Sequence, residues 1–448
     1  MANWLAYFVL FGWFFVVLYL FRAYSIQQAI VTSIIGGFLI LPFGLAVDPP
    51  LIPPLDKASI PSLAAFFILR FFLGKRIKVP PKFSFVGVCY IVCLAGPFIT
   101  VLNNSSQYGF IRGLTSYDAL SALIQQWIVL IPFILGYGFI RSADSVLVLL
   151  KSVLIAGLFY SVLMLFEVRM SPQLHNWIYG YHGMDGFAQQ KRYGGFRPTV
   201  FLGHGLYVAF FAVTVLFTSE ILSNIKERVS KRFSAGQLTA YLFMVLVFCK
   251  SVASIVYGAV MLPLLHYGKA KLQIKVAVII AVFAIFYPLM RLYDMLPLTD
   301  FLHFINGLDA ARGQSLGYRF DMETMLLEHV REQVFFGWGG WGRNRVYSEM
   351  GVDLTVTDGY WMIIFGNYGL IGFLSVFGLL AMPIFKAASV MKGKVKPFDQ
   401  VTLAGMSLIL AINMFDLLPN DTLTPLTWLV AGALLGRSEE LKKQLRIK

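Results

Sequence analysis

The sequence predicts an all-α, polytopic helical membrane protein, with about 12–13 transmembrane helices and a large outward loop containing short amphipathic helices. Three observations predict it. Mean hydropathy is +0.72, and only 13% of the 448 residues are charged, which excludes an ordinary soluble domain. The apolar residues come in runs long enough to cross a bilayer, for which about 20 residues per helix are needed. The basic residues gather in short clusters between these runs, as cytoplasmic loops do.

Along the chain the candidate spans are 3–21, 26–47, 59–73, 83–102, 119–140, 145–167, 199–222, 237–249, 252–266, 275–294, 359–385, 401–417 and 422–436. The first run lacks a basic leader and a small-residue cleavage site, so it reads as a retained span. The basic clusters are Lys75, Arg76, Lys78 and Lys82; Lys226, Arg228, Lys231 and Arg232; Lys269, Lys271 and Lys275; Lys386, Lys392, Lys394 and Lys396; and the tail Arg437, Lys442, Lys443, Arg446 and Lys448. Placing all of them inside sets the N-terminus outside and the C-terminus inside. The net charge of +14 is then a matter of topology, and nucleic acid is not an expected partner. The short run 59–73, which contains Arg70, and the paired runs around Lys250 are the weakest spans. The chain reads as one integral membrane domain, 1–448, with a stiff Pro-rich connector at 49–61. Cys89, Cys93 and Cys249 lie in or beside apolar runs, without metal-ligand spacing or a disulfide framework. No metal or other cofactor is expected.

Two long segments face outward, 168–198 and 295–358. The second holds Arg312, Arg319, Arg331, Arg343 and Arg345 and no lysine; the first adds Arg169, Lys191, Arg192 and Arg197. Solvation alone does not select arginine over lysine so completely. A guanidinium presents a rigid donor fork that matches phosphate, whereas an ammonium is a compact, strongly hydrated charge. The bland alternative is pairing with nearby carboxylates, which is the better reading for Arg331 between Glu328 and Glu332.

Within these segments, 319–334 (RFDMETMLLEHVREQV) has the spacing of an amphipathic helix, with Met322, Leu326 and Val330 on one face. It would lie on the outer leaflet as a lid or shelf. The stretch GWGGWGR follows, in which Trp338 and Trp341 serve as interface anchors or as stacking faces for sugar rings. Its glycines let the backbone approach a ligand closely. In KRYGGFRPTVFLGHG, Arg192 and Arg197 precede a span and His204 falls about two turns inside it. An ionisable group there is either functional or a neutral imidazole bonded to a neighbouring helix. Lys250, in FCKSVAS, either emerges between two hairpinned helices or lies inside one long helix.

In order, these are GGFRP before a span, CKSVAS in a hairpin, GYRFDMETMLLEHV, FFGWGGWG, and TDGYWMIIFGNYGLIGF entering the next span. That series over roughly residues 190–385 resembles the O-antigen ligase and polymerase superfamily of membrane glycosyltransferases, which includes exopolysaccharide polymerases. The resemblance implies a helical bundle whose large periplasmic loop covers a cavity open to the outer leaflet of the bacterial inner membrane. It implies a polyprenyl-diphosphate-linked glycan as donor, a glycan or lipid-linked acceptor, membrane lipid around the site, and a chain-length regulator as a further partner. By position, Arg197 and Arg319 resemble the family's diphosphate-binding arginines, with Lys250 as an additional cation. Arg192, His204, Arg343, Arg345, Trp338, Trp341 and Tyr360 complete the candidate binding set. The ligases usually carry a histidine where this chain has Asp358, which favours a polymerase over a ligase.

The expected reaction is attack by a sugar hydroxyl on the anomeric carbon of a second lipid-linked chain, with polyprenyl diphosphate leaving and the anomeric centre inverted. Arginines would stabilise the departing charge. Asp358 is the first choice of general base, with Glu349 and Asp353 behind it. No Asp-x-Asp pair is present to position a divalent metal. A ligase to a lipid or protein acceptor is the near alternative. A transporter of lipid-linked sugars is the distant one, which the lack of a visible repeat disfavours. The stretch 337–361 is expected to form an outward cover that brings Asp358 to the arginines.

Overall fold

Every expected span is a helix in the computed structural model, which describes residues 2–49, 52–183, 190–192, 194–229 and 232–446. Lys231 and Lys448 of the basic clusters, and Pro50 and Leu51 of the connector, lie outside the described residues. The chain opens with α1 (Trp4–Ala23), α2 (Ile26–Ile40), α3 (Ile60–Phe67) extended by a π-helical turn at Ile68–Phe72, α4 (Phe85–Asn103), α5 (Ser116–Phe139) and α6 (Ala143–Met170). The short α7 (Leu174–Tyr179) and a hairpin of β1 (Lys191–Arg192) and β2 (Gly195–Phe196) lead to α8 (Gly205–Asn224), α9 (Ala235–Phe248), α10 (Val252–Tyr267) and α11 (Ala270–Leu292). After α12 (Leu298–Leu308) and α13 (Ala310–Val330), the chain closes with α14 (Tyr360–Val390), α15 (Pro397–Asp416) and α16 (Pro425–Arg446). Polar side chains fix several starts. Ser25 and Ser84 accept from backbone amides three residues on, and Thr115, Ser142 and Ser234 form capping boxes.

Among the described residues eight helices are long and apolar enough to cross a membrane: α1, α4, α5, α6, α8, α11, α14 and α15. The helices α2, α3 with its π turn, α9 and α10 are shorter but equally apolar, and α16 fills the last expected span with charges gathered at its C-terminal end. The protein is an all-α, multi-pass membrane protein.

Contacts sort the helix ends onto two faces. On one, Asn3 N donates to Tyr179 O, the Tyr179 hydroxyl to Ile40 O, Lys57 Nζ to Phe201 O, and Tyr360 N to Asn420 O. On the other, Lys78 lies against Gly138, and Arg437 pairs with Asp399, Arg141 with Glu440 and Lys151 with Glu227. The loops carrying the basic clusters belong to this second face.

The centre of the bundle is α8, 89% of whose apolar window is buried, against 33% for the peripheral α1. A helix apolar on all sides is a central one. Exposed Phe8, Phe11 and Phe15 on α1 mark the lipid-facing exterior.

Several expectations are corrected. The run 26–47 is helical only to Ile40, and the run from 199 becomes helical only at Gly205. Residues 199–204 can stay irregular while buried because acceptors are supplied: Glu167 takes the amides of Thr199 and Val200, and the Tyr160 hydroxyl takes that of Phe201. His204 is therefore the N-cap of α8 and not two turns inside it. The amphipathic pattern at 319–334 forms the second half of α13 and a 3₁₀ turn, with Leu326, Leu327 and Val330 buried against protein and not on a leaflet. The helix with an uncovered apolar surface is α12, where Phe301, Phe304 and Leu308 are exposed. Arg331 does not pair along the helix but donates to Leu292 O.

The start of the Gly- and Trp-rich stretch packs against a break in α14, and its end brings Asp358 to Arg319. Helix α14 is broken at Gly369, where φ is 63° and ψ −165°. Trp338 N and Gly339 N donate to the carbonyls of Gly366 and Asn367, while Leu370 N and Ile371 N donate to those of Val334 and Phe335. Residues 334–339 thus satisfy the backbone groups that the break frees. A Cβ on Gly337 would stand 2.5 Å from Gly369 N, and one on Gly369 would stand 2.3 Å from Phe335 C. Both glycines are required by the close approach of two backbones.

Candidate functional site

Two central helices, α8 and α14, begin on the face opposite the basic clusters, and their starts hold most of the candidate residues. Helix N-termini carry partial positive charge. To these are added real cations.

Arg197 follows the β-hairpin, with its amide bonded to Gln190 O. Its side chain lies across Gly205, the first residue of α8: a Cβ there would stand 2.4 Å from Nε. Arg197 is 4% exposed, and its Nε has no hydrogen-bond partner among the described residues. Among the described residues its guanidinium makes no ion pair. Burial, and then the like charges of Arg192, Arg312 and Arg319, push it down to about 10, so it remains a cation at neutral pH. A buried cation among cations is costly unless an anion joins it.

Lys250 stands at the tip of the α9–α10 hairpin in a left-handed conformation, φ 54°. Its Nζ donates to Arg192 O at 3.0 Å, in the space that Gly195 leaves by lacking a Cβ. The emerging-hairpin reading of Lys250 is the correct one. His204 Nδ1 accepts from Leu206 N at 3.1 Å. Burial, followed by the charges of Arg197, Arg192 and Arg319, pushes the imidazole down to about 4. It is neutral at pH 7, and with Nδ1 accepting, its proton resides on Nε2 as a donor.

Arg319 comes from α13. Its Nε lies 3.2 Å from Asp358 Oδ2, and its Nη1 donates to Pro419 O at 2.9 Å. A turn further along α13, Glu323 receives Arg291 and Tyr287 from α11 and Trp361 from α14. That buried knot fixes the helix and hence the place of Arg319. Tyr360 is the first residue of α14, its amide bonded to Asn420 O at 3.2 Å.

The structure therefore gathers Arg192, Arg197, His204, Lys250, Arg319, Asp358 and Tyr360 at one mouth. It takes four other candidates elsewhere. Arg343 is 1% exposed and spends its guanidinium on the carbonyls of Trp338, Ser106 and Arg112 and on Asn104 Oδ1. Trp338 is buried, its ring stacked on His329 with 4.3 Å between centres. Neither has a free surface for a sugar or a phosphate. Trp341 is exposed, donates to Asp118 and lies under Arg112. Arg345 pairs with Asp353, which engages that alternative base, and Glu349 is exposed nearby in the loop.

Sequence reasoning passed over the loop LLPNDT between α15 and α16. Buried Asp416 accepts from Asn420 Nδ2 at 3.0 Å and from Thr422 Oγ1 at 2.7 Å, holding the loop under Arg319. Between those two residues stands Asp421. Its signal was a carboxylate in a short interspan loop that has no cation.

The arrangement can hold an anion with several charges between the mouths of α8 and α14, with carboxylates beside it. No protein-family model matches the chain, and no curated protein matches it.

Proposed function

We propose that the protein is a membrane glycosyltransferase that polymerises polyprenyl-diphosphate-linked oligosaccharide units into a surface polysaccharide. The face with Arg197 would be the outward one in a bacterial plasma membrane, because the opposite face carries the basic loops. Arg197 is the observation that supports the reading best. A guanidinium on a residue only 4% exposed, with Nε unpartnered among the described residues and with other cations nearby, is a site prepared for a multiply charged anion. The reacting atoms then lie at bilayer level, where a lipid-linked diphosphate presents them.

In this reading Arg197 and Arg319 hold the donor diphosphate, and the His204 Nε2–H donates to it as a neutral group. As the bond from the anomeric carbon to the diphosphate lengthens, charge grows on the leaving oxygen. Fixed donors are worth most at that moment. A carboxylate at the mouth takes the proton of the attacking hydroxyl. The Asp358–Arg319 pair keeps Arg319 in place until the diphosphate arrives.

The test is purified protein in lipid nanodiscs, given synthetic polyprenyl-diphosphate oligosaccharide and followed by product sizing. A ladder of longer glycans with release of polyprenyl diphosphate is expected. Transfer only after a second acceptor is added would make it a ligase. An intact glycosidic bond with lipid movement across vesicles would make it a transporter. Arg197→Lys and Arg319→Lys should rescue poorly, because the planar fork is lost.

A further inference from the structure

Taking the glycan-transfer reading as given, we propose that Asp421, in the α15–α16 loop, is the proton acceptor of the transfer step, and that Asp358 is a positioning residue for Arg319. Both carboxylates stand at the same mouth, and their surroundings differ. Asp358 Oδ2 is 3.2 Å from Arg319 Nε. That oxygen is engaged by the guanidinium, so Asp358 is tied to Arg319. Asp421 is exposed, and among the described residues its side chain makes no hydrogen bond or ion pair.

The backbone around Asp421 is nevertheless fixed on both sides. Asn420 and Thr422 are bound to buried Asp416, Pro419 O receives Arg319, and Asn420 O and Leu417 O receive the amides of Tyr360 and Trp361. A loop held this firmly, with one acidic side chain left unengaged, presents that side chain in a defined place. The place is the mouth. The residue before Asp421 accepts the amide of Tyr360, two residues past Asp358. The next residue, Thr422, lines a narrow recess with Tyr207 and Asn413, whose buried amide has no hydrogen-bond partner among the described residues.

The chemistry is balanced simply. The acceptor oxygen forms a bond to the anomeric carbon while the bond to the diphosphate oxygen breaks and its electron pair leaves with the diphosphate. The acceptor's hydroxyl proton passes to Asp421 and then to water. Protein crowds Asp421 on most sides although the carboxylate stays open, and this desolvation pushes it up to about 6. A base near neutrality both accepts and returns a proton readily. The charged and titratable groups around it are Tyr207 on α8, Asp358 and Tyr360 at the start of α14, Asp416 on α15 and Arg319 on α13. The Arg319 charge is directed to Asp358 and does not offset the upward push on Asp421. The donor's diphosphate, esterified at both ends, has no proton to exchange in this range.

The experiment is single-turnover transfer in nanodiscs between pH 4.5 and 8, alongside binding of a fluorescent polyprenyl diphosphate. The wild-type rate should rise with pH through a midpoint near 6, as the base ionises. Asp421→Asn should lose about 10²–10⁴-fold in rate and all of the acid limb, with donor binding unchanged. Asp421→Glu should recover part of the rate with a displaced limb. Asp358→Asn should weaken donor binding and keep the limb. Retention of rate and limb in Asp421→Asn overturns the assignment, as does disappearance of the limb in Asp358→Asn alone. A wild-type protein that binds the lipid but never breaks the glycosidic bond overturns the transfer reading itself, an outcome distinct from loss in one variant.

Discussion

Arg197 and Arg343 come from similar sequence, each within a few residues of glycines and aromatic residues in a polar segment between spans. Both are buried, and their partners could hardly differ more. Arg343 meets four oxygens from three stretches of chain and ties the 337–345 loop to the α4–α5 loop. Among the described residues the Arg197 guanidinium meets none, and the charges around it are like its own. The difference teaches that a buried arginine declares its purpose through what it lacks: the satisfied one holds the fold, and the unsatisfied one awaits a ligand.

Exchanging the two residues' fates should give the largest effects. Arg197→Ala should abolish transfer and donor binding while leaving the unfolding temperature unchanged or raised, because a strained charge is removed. Arg343→Ala should do the reverse, costing roughly 1–3 kcal/mol for each buried acceptor left unsatisfied and reducing the yield of folded protein. Thermal unfolding measured beside donor binding reads both; destabilisation by Arg197→Ala to a similar degree would erase the contrast.

Glycines sharpen it further. Gly205→Ala puts a methyl group where the Arg197 stem now lies, 2.4 Å from Nε, and should lower donor affinity about tenfold, near 1.4 kcal/mol, with little loss of stability. Gly369→Ala strains a positive φ and presses on Phe335, so it should cost at least about 1–3 kcal/mol before any effect on binding. Paired unfolding and binding curves separate the two.

The smallest effect concerns His204. Its folded value near 4 lies below the ordinary histidine value of about 6.5. The unfolded chain therefore takes up a proton first as pH falls, and stability present above about 6.5 is lost progressively toward 4. His204→Asn keeps an N-cap side chain and should flatten that part of the acid loss. An unchanged slope in unfolding temperature between pH 7 and 4 would remove His204 from the account.

Much of this was legible in the sequence, and for definite reasons. Span order could be read because apolar runs and lysine clusters are local signals. Arg197, Lys250 and Asp358 stood at span ends and Arg319 in an outward segment, so the chain order alone brings them to one face. What could not be read were pairings between distant segments. Nothing local distinguishes Arg343 from Arg197, since Ser106 and Asn104 lie more than 200 positions away from Arg343. The pattern of 319–334 was amphipathic, but its apolar face found protein and not lipid, and that choice is tertiary. Asp421 was missed because a single carboxylate between two spans has no motif to announce it.

The break in α14 has a consequence for the order in which the chain is assembled. Residues 334–339 leave the ribosome before the half-helices that receive them, and they have no partner for those four backbone bonds until residues 366–371 arrive. The large loop therefore cannot close by itself. Entry of α14 into the bilayer and closure of the loop are one event. A nascent chain stopped before residue 359 should be cut by protease within 334–339, while one extended beyond 371 should resist, so the last three spans act as the latch on everything made before them.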